Sequence, residues 1–428
     1  MKIELKDNFI TDDTREVIKG CYFLSSKFNA KFEQTAKENG VKVINLDKAK
    51  ELLGIDSNIK IVGITGTNGK TTTAAAIYST LLDLRYSVFL CGTRGAFVNE
   101  KQVDKKGLTT SSPIRILSYL KTASYEKCDY FIMEVSSHAI AQNRIEGLNF
   151  ALKIFTNITQ DHLDYHKTMA EYLAVKSSFF MDETPKLINK DQLNGLVFNP
   201  KNAYTYGIKE IATFKVVAYS IDKGIDATIK TLNQDGELES DMVGEFNLYN
   251  LLAAFSAVAI LTKKPNLEIT KALSNFAGVA GRMELVSDNP RVIVDFAHTP
   301  DGVEKVLNAL KHDKLIVVFG AGGDRDKTKR PLMAAIAEHF AYKIIVTSDN
   351  PRTEDANSII DDIFKGFKDS SKVLREVDRK KAIKAALNLA QNGEVVVILG
   401  KGDEDYQEIN GVKHHFSDKE VVREILCK

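Results

Sequence analysis

The sequence is short of cysteine, of any charge excess and of long apolar runs, and each shortage removes a class of function. Its 428 residues include 4 cysteines. These (Cys21, Cys91, Cys128 and Cys427) lie far apart, with no C-x-x-C pair. That spacing argues against zinc and against a disulfide framework, and fits a reducing cytosol. Lys plus Arg number 58 against 57 Asp plus Glu, so no basic excess advertises a nucleic acid or a membrane surface. The N-terminus, Met-Lys-Ile-Glu-Leu-Lys-Asp, has no apolar signal core, and the longest apolar stretch, Leu251 to Leu261, is too short to span a bilayer. There is no internal repeat and no low-complexity segment. The expectation is a cytoplasmic, monomeric, globular protein with no nucleic-acid or membrane partner. The length allows two or three domains with full cores.

What is present begins at residues 61–74, Ile-Val-Gly-Ile-Thr-Gly-Thr-Asn-Gly-Lys-Thr-Thr-Thr-Ala. An apolar run ends in a glycine-rich turn and passes into a helix-forming segment. Bare backbone N–H groups and the positive helix end then face an anion, which suits nucleotide phosphates. Lys70 can reach the outer phosphates and the Thr71 hydroxyl can sit on Mg²⁺. The usual G-x-x-x-x-G-K-[ST] pattern would need glycine at Ile64; the chain has Gly63 and Gly66 instead, so the loop is a variant. A plain glycine-rich turn with a solvated lysine is the competing account.

Residues 1–58 read as a small mixed segment. From Lys60, apolar strands alternate with helices, implying a mostly parallel sheet covered on both faces. Leu196 to Val243 reads as a local antiparallel patch, and Asn250–Thr262 as a buried helix. The pattern restarts near residue 283, with strands expected at Val292–Val294, Leu315–Phe319, Lys343–Thr347 and Glu394–Leu399. The expected class is α/β, with units at 1–58, 59–282 and 283–428 and ligands gathered at the carboxyl ends of strands.

Several strand ends carry chemistry. Glu134 closes Tyr130–Met133, well placed to hold Mg²⁺ directly or through water. His162 and His166 are spaced i, i+4, but Leu163 breaks the H-E-x-x-H zinc pattern, and taken alone a polar N-terminal helix cap is the better account of them. Gly320-Ala-Gly-Gly-Asp-Arg325 lacks the third glycine of a dinucleotide fingerprint, leaving an anion-binding loop that carries Arg325. Arg352, in Ser348-Asp-Asn-Pro-Arg352, ends another strand of the same unit. Each arginine alone reads as surface; together they can converge on a carboxylate.

These blocks together resemble the Mur ligase family, from about residue 60 to the C-terminus. The likeness rests on Gly66-Thr-Asn-Gly-Lys-Thr-Thr72, Glu134-Val-Ser-Ser-His138, Thr156-Asn157, Asp161-His-Leu-Asp-Tyr-His166, Asn247-x-x-Asn250, Gly281-Arg-Met-Glu284, Asp295-Phe-Ala-His-Thr-Pro300, Gly322-Gly-Asp-Arg-Asp-Lys327 and Asp349-Asn-Pro-Arg352. Within the family it is most similar to the members that add meso-diaminopimelate to UDP-N-acetylmuramoyl-L-alanyl-D-glutamate in peptidoglycan precursor synthesis. The resemblance implies a small mixed N-terminal UDP-binding domain, a central P-loop ATPase domain and a C-terminal Rossmann-like domain. It also implies ATP as a substrate, Mg²⁺ as a cofactor and an acyl-phosphate intermediate. By resemblance, Gly66, Thr67, Asn68, Gly69, Lys70, Thr71, Thr72, Asn250, Arg282, Asp295 and His298 hold ATP. Thr71, Glu134, His162 and a carbamylated Lys176 contact the metal, and Lys70, Glu134, His162, Lys176 and Arg282 serve catalysis. Thr14, Thr109, Thr110, Ser136, Gln142 and Arg144 hold the UDP-sugar. Arg325, Asp349, Asn350, Pro351, Arg352, Gly400 and Glu404 hold diaminopimelate.

Two features depart from the family pattern. The segment after Asp13-Thr14-Arg15 is compressed, and the usual Gly-Lys-Gly-His-Glu block reads Gly400-Lys-Gly-Asp403-Glu404. Rival readings are a sister ligase adding L-lysine, whose pattern lacks the arginine at 352, a ligase adding glutamate to folate, and a P-loop switch. A switch would need neither Lys176 nor the Arg325/Arg352 pair.

Overall fold

The computed structural model describes residues 1–27, 29–231, 234–391 and 393–427. Among them, strands form sheets of four, eleven and six, with a separate two-stranded hairpin. In the four-stranded N-terminal sheet, Phe9–Thr11 pairs antiparallel with Lys2–Glu4 and parallel with Tyr22–Leu24, which continues parallel to Lys42–Ile44. The helix Leu46–Leu53 follows, started by the Asn45 side chain accepting from Lys48 N and stopped at Gly54 in the left-handed conformation.

The strand Lys60–Thr65 is buried after its first residue. A strand covered on both faces has no solvent side, so its sequence does not alternate. It takes the middle of the eleven-stranded sheet, with Phe150–Phe155 and Tyr130–Glu134 parallel on either side. These three strands deliver the 66–69 loop, Thr156 and Glu134 to one edge.

The expected antiparallel patch at 196–243 is only partly so. Ala203–Gly207 and Phe214–Ser220 extend the parallel run. Pairing becomes antiparallel only through Ile225–Lys230 and Gly236–Ser240. The segment between Phe214–Ser220 and Ile225–Lys230 is too short for a crossover, which forces the chain to fold back there. The helix Glu245–Thr262 is long and apolar enough to cross a membrane by length and composition, yet 67% of that window is buried inside the fold. It lies against the helices Lys70–Asp83 and Asn266–Ser274.

The six-stranded sheet begins with Glu284–Asp288, antiparallel to Arg291–Asp295. Beyond it Val395–Leu399, Leu315–Phe319, Lys343–Val346 and Val373–Arg375 run parallel. Val395–Leu399 thus enters between the first two parallel strands in chain order, and the loops at these strand ends surround a crevice. Arg379, wholly buried, fixes two of those ends. Its Nε and Nη2 donate to Asp418 at 2.7 and 2.8 Å, its Nη2 donates to Leu399 O at 2.9 Å, and its Nη1 donates to Ser348 O at 3.3 Å. Asp418 is as deeply buried. Breaking such a pair from one side strands a charge, which costs about 3–5 kcal/mol. Asp418→Ala is therefore expected to destabilise the C-terminal sheet by that amount. The readout is faster native-state hydrogen exchange at Lys343–Val346 and Val395–Leu399, with Lys60–Thr65 unchanged.

Candidate active site

Between Thr65 and Lys70 the chain must turn from a strand into a helix. Glycine permits it. Gly69 sits at φ 84°, a region that disfavours side chains, and a side chain at Gly66 would collide with the Thr156 hydroxyl. The neighbouring strand end grips the loop. Thr156 Oγ1 donates to Asn68 O at 2.6 Å, Asn157 Oδ1 accepts from Asn68 N at 2.9 Å, and Asn157 Nδ2 donates to Asn68 O at 3.1 Å. Lys70 Nζ reaches back to the carbonyls of Gly66 and Thr67 at 2.7 and 2.8 Å. Burial lowers the pKa of Lys70, against the opposing pull of Glu134 and Asp161.

Glu134 faces this loop. Its Oε2 accepts from Thr71 Oγ1 at 2.8 Å and its Oε1 from Thr93 N at 2.9 Å. His162, at φ 56°, stands 3.3 Å from Asp161, and burial pushes its imidazole down to about 3, so it is neutral at pH 7. The Thr71 hydroxyl and the Glu134 carboxylate are hard oxygen donors that fit Mg²⁺, which takes one or two carboxylates and substrate phosphates and retains water; the borderline imidazole of His162 fits better as a contact through such a water. Among the described residues no cluster of three or more His, Cys, Asp or Glu forms a closed metal cage.

Lys176 is fully buried behind this wall. It lies 3.4 Å from Thr65 Oγ1 and over the Tyr172 ring at 4.9 Å, with no carboxylate paired to it among the described residues. Burial, then the Lys70 charge, holds its amine well below the ordinary lysine range.

Arg282 stacks over Phe296 at 4.1 Å. Asp295 accepts from Met283 N at 2.7 Å and Ala297 N at 2.6 Å, so both its oxygens fix the chain passing between the two large sheets. Asn250 Nδ2 donates to Asn247 Oδ1 at 3.1 Å, and the Asn250 side chain lies where a Cβ on Gly69 would fall. Thr110, Ser136, Gln142 and Arg144 form one network. Thr110 Oγ1 accepts from Ser136 N at 2.8 Å, Arg144 Nη1 donates to Thr110 O at 2.8 Å, and Arg144 Nη2 donates to Gln142 Oε1 at 2.6 Å. Thr109 joins it to the acid through Thr93, 3.1 Å away.

On the C-terminal side, Glu404 Oε2 accepts from Asn350 Nδ2 at 2.9 Å and Lys401 Nζ at 3.0 Å. Burial, then the Asp349 charge, raises the Glu404 pKa. Burial also opposes the Asp349 charge, but Lys401 and Arg379 outweigh it and keep Asp349 ionised. Arg352, at φ 53°, donates Nη1 to Gly323 O at 2.8 Å, and its backbone is strapped by Glu408 O and Asn410 N. Arg325 lies 3.8 Å from Asp164 across the cleft. Gly320 and Gly323 permit close backbone approach to Thr347 and Pro351, Gly322 lies against the Arg352 guanidinium, and Gly320, Gly322 and Arg325 line the cleft.

A cleft of about 960 Å³ joins these parts, lined by Lys70, Glu134, His162, Arg282, Arg352 and Glu404 among others. Gly66, Lys176 and the Thr110–Arg144 network stand behind its wall. Pro351 is buried and shapes its turn without lining the cleft. The N-terminal cleft, of about 740 Å³, is lined by Ser25, Ser26, Lys42, Asn45, Lys48 and Glu146, and Thr14 is not among its lining residues.

Comparison with known proteins decides the family. Residues 64–258 match the Mur ligase middle domain, and residues 281–402 match the Mur ligase, glutamate ligase domain. The chain belongs to the Mur ligase family. This Mur ligase is 49% identical to the UDP-N-acetylmuramoyl-L-alanyl-D-glutamate--2,6-diaminopimelate ligase of Wolinella succinogenes, over 98% of this chain and 96% of that one. It is 48% identical to the protein of that name from Helicobacter pylori, over 97% and 95%. A solved structure of a ligase so named aligns with a TM-score of 0.66 at 30% identity, covering 98% of this Mur ligase and 94% of that chain.

Two residues of the site escaped the sequence reading. Lys329, 4% exposed and 3.8 Å from Asp161, lines the cleft, and only a structure reveals that this lysine of a basic stretch points inward. Asp301 accepts from Asn68 Nδ2 at 2.8 Å across the two domains, a contact with no local signature. His298 donates Nδ1–H to Phe296 O at 2.9 Å when neutral. Burial, then Lys329, holds its pKa near 4, against 6.5 for an ordinary histidine. The unfolded chain therefore binds one more proton between those values, and folding stability falls as pH drops from about 6.5 towards 4. Melting curves across that range should show the loss, and His298→Gln should flatten the slope.

Proposed function

We propose that this chain is the ATP-dependent ligase that adds meso-diaminopimelate to UDP-N-acetylmuramoyl-L-alanyl-D-glutamate in peptidoglycan precursor synthesis. The observation that carries the reading is one cleft lined at once by the 67–72 loop, by Glu134 and Thr109, and by Asp349, Arg352 and Glu404. Phosphate, carboxylate and zwitterion chemistry thereby meet in one place. The free cysteines, three of them buried, suit the reducing cytoplasm where such a reaction would run. We assign residues 1–58 to the uridine end, 59–282 to ATP and 283–428 to the amino acid. The N-terminal cleft, with Lys42 and Lys48, takes the uridine diphosphate in place of Thr14.

In this reading the substrate D-Glu side-chain carboxylate attacks the γ-phosphorus of ATP and ADP leaves. Lys70 and Arg282 hold the charge that spreads over the phosphoryl oxygens. The acyl phosphate so formed has a good leaving group. The neutral amine of diaminopimelate then forms the N–C bond, the C–O bond breaks, and phosphate and a proton depart. Mg²⁺, when bound through Thr71, Glu134 and His162, neutralises phosphate charge.

Lys176 has the surroundings for carbamylation. Its buried neutral nitrogen can add to CO₂ and release a proton, giving an anion where a second cation beside Lys70 is disfavoured; that carbamate would help to hold Mg²⁺ when bound. Lys176→Ala is expected to be nearly inactive and partly rescued by short carboxylic acids. Full activity of that variant without additive would remove the carbamate from the scheme.

Amino-acid choice follows from the acids and arginine around Arg352. Diaminopimelate differs from lysine by an additional carboxylate on the carbon bearing its far amine. Asp349 and Glu404 suit an ammonium and Arg352 a carboxylate. Lysine would offer the guanidinium no carboxylate beyond its existing partners Gly323 O and Glu408, 3.6 Å away, a mismatch worth roughly 10⁴-fold in selectivity. Phosphate release should thus require the UDP-dipeptide and meso-diaminopimelate together, and L-lysine should be almost ignored. Arg352→Ala should abolish most of the reaction while ATP binding survives. Product masses from a competition between the two amino acids check it; comparable lysine product from the wild type would overturn the specificity.

A further inference from the structure

Asp403 lies where three parts of the molecule cross. Its Oδ2 is 3.1 Å from Lys106 Nζ and 3.8 Å from Arg94 Nε, and Lys106 also donates to the Asp403 carbonyl. Both cations belong to the central sheet's outer edge. Arg94 follows the strand Val88–Gly92 and Lys106 follows Lys101–Asp104. Arg94 Nε is buried with no hydrogen-bond partner, so this donor is aimed at the carboxylate but not yet satisfied. The Asp403 backbone meanwhile presses on the interdomain chain. A side chain at Gly281 would collide with Asp403 N, and one at Gly402 would lie 2.6 Å from Gly281 O.

The neighbours of these residues give the crossing its meaning. Arg94 adjoins Thr93, whose N–H holds Glu134, and Asp403 adjoins Glu404, held by Asn350 and Lys401. One ion-pair cluster therefore spans from the phosphate side of the cleft to the amino-acid side. We propose that Asp403, with Lys106 and Arg94, is a positioning clamp. It sets the distance between the amino-acid pocket and the acyl phosphate, so that the attacking amine meets the carbonyl carbon. Asp403 is 12% exposed at its side chain and Lys106 39%, so solvent screens the pair in part. This inference rests on the ligase reading above.

Two measurements test it. A zero-length carbodiimide should couple Lys106 to Asp403 in the wild-type protein without substrates, seen as a cross-linked peptide by mass spectrometry; absence of that peptide would overturn the clamp. Kinetically, Asp403→Lys should lower kcat/KM for diaminopimelate by about 10²-fold, the scale of a small misplacement of reacting groups. KM for the UDP-dipeptide, held by other domains, should stay the same. Lys106→Asp alone should impair similarly, and combining it with Asp403→Lys should recover at least about tenfold, because the ion pair is restored in reverse. A purely structural loss would not be recovered by that exchange. An Asp403→Lys enzyme with wild-type diaminopimelate kinetics, or a double variant no better than either single one, would refute the proposal. If the cross-linked peptide forms but untreated wild-type protein makes no product with diaminopimelate, the ligase reading fails and the contact between Asp403 and Lys106 stands.

Discussion

Lys70 and Lys329 line one cleft with Lys176 behind its wall, and burial lowers the pKa of Lys70 and Lys176, a sign that positive charge here needs anions to meet it. Removing charge from water costs several kcal/mol per ion unless it is paired. Asp161 and Glu134 answer part of that demand; phosphates and a substrate carboxylate would answer the rest. The surroundings follow from this imbalance. Rigid parallel strands hold the cations near one another, Asn157 takes the N–H groups of Thr67 and Asn68 and so fixes the loop that presents Lys70, and the C-terminal domain closes the far side.

Much of that closure is polar, beside the apolar contact of Phe246 with the C-terminal core. Asn68 reaches Asp301, Gln160 donates to Asp326 and Thr328 at 3.1 and 2.9 Å, and Arg325 faces Asp164. Interfaces of this kind resemble transient contacts between proteins, in contrast to the apolar cores within each domain. Such a boundary can open for substrate and re-form around it, since water can satisfy the same groups when they part.

The sequence was most readable where chemistry is local. The strand Lys60–Thr65, the turn into Lys70 and the strand Leu315–Phe319 all lie where the apolar runs and glycines put them. Glu134 was legible as an acid at a strand tip. The rest depends on neighbours distant in the chain. Whether Ala203–Gly207 pairs parallel or antiparallel is decided by connections, not by its own residues. Lys329 looks like any lysine of a basic helix start until its burial beside Asp161 is seen. The N-terminal cleft, shaped by Ser25, Asn45 and Glu146, had no motif to announce it in the sequence. The glycines at 320–323 were legible as a loop, but the close approach of Gly320 and Gly323 to the backbone of Thr347 and Pro351 was not.

The backbone of Arg352 has a bearing on how this pocket can evolve. With φ at 53° and both its N–H and C=O tied to the hairpin Tyr406–His415, the position is locked in a region that most side chains enter only at a cost. A descendant that abandoned the guanidinium would reach a relaxed backbone most cheaply through glycine, asparagine or aspartate. Each of those changes the pocket's charge or size abruptly. Drift towards a different amino acid is therefore stepwise at this position, with few viable intermediates between one preference and the next.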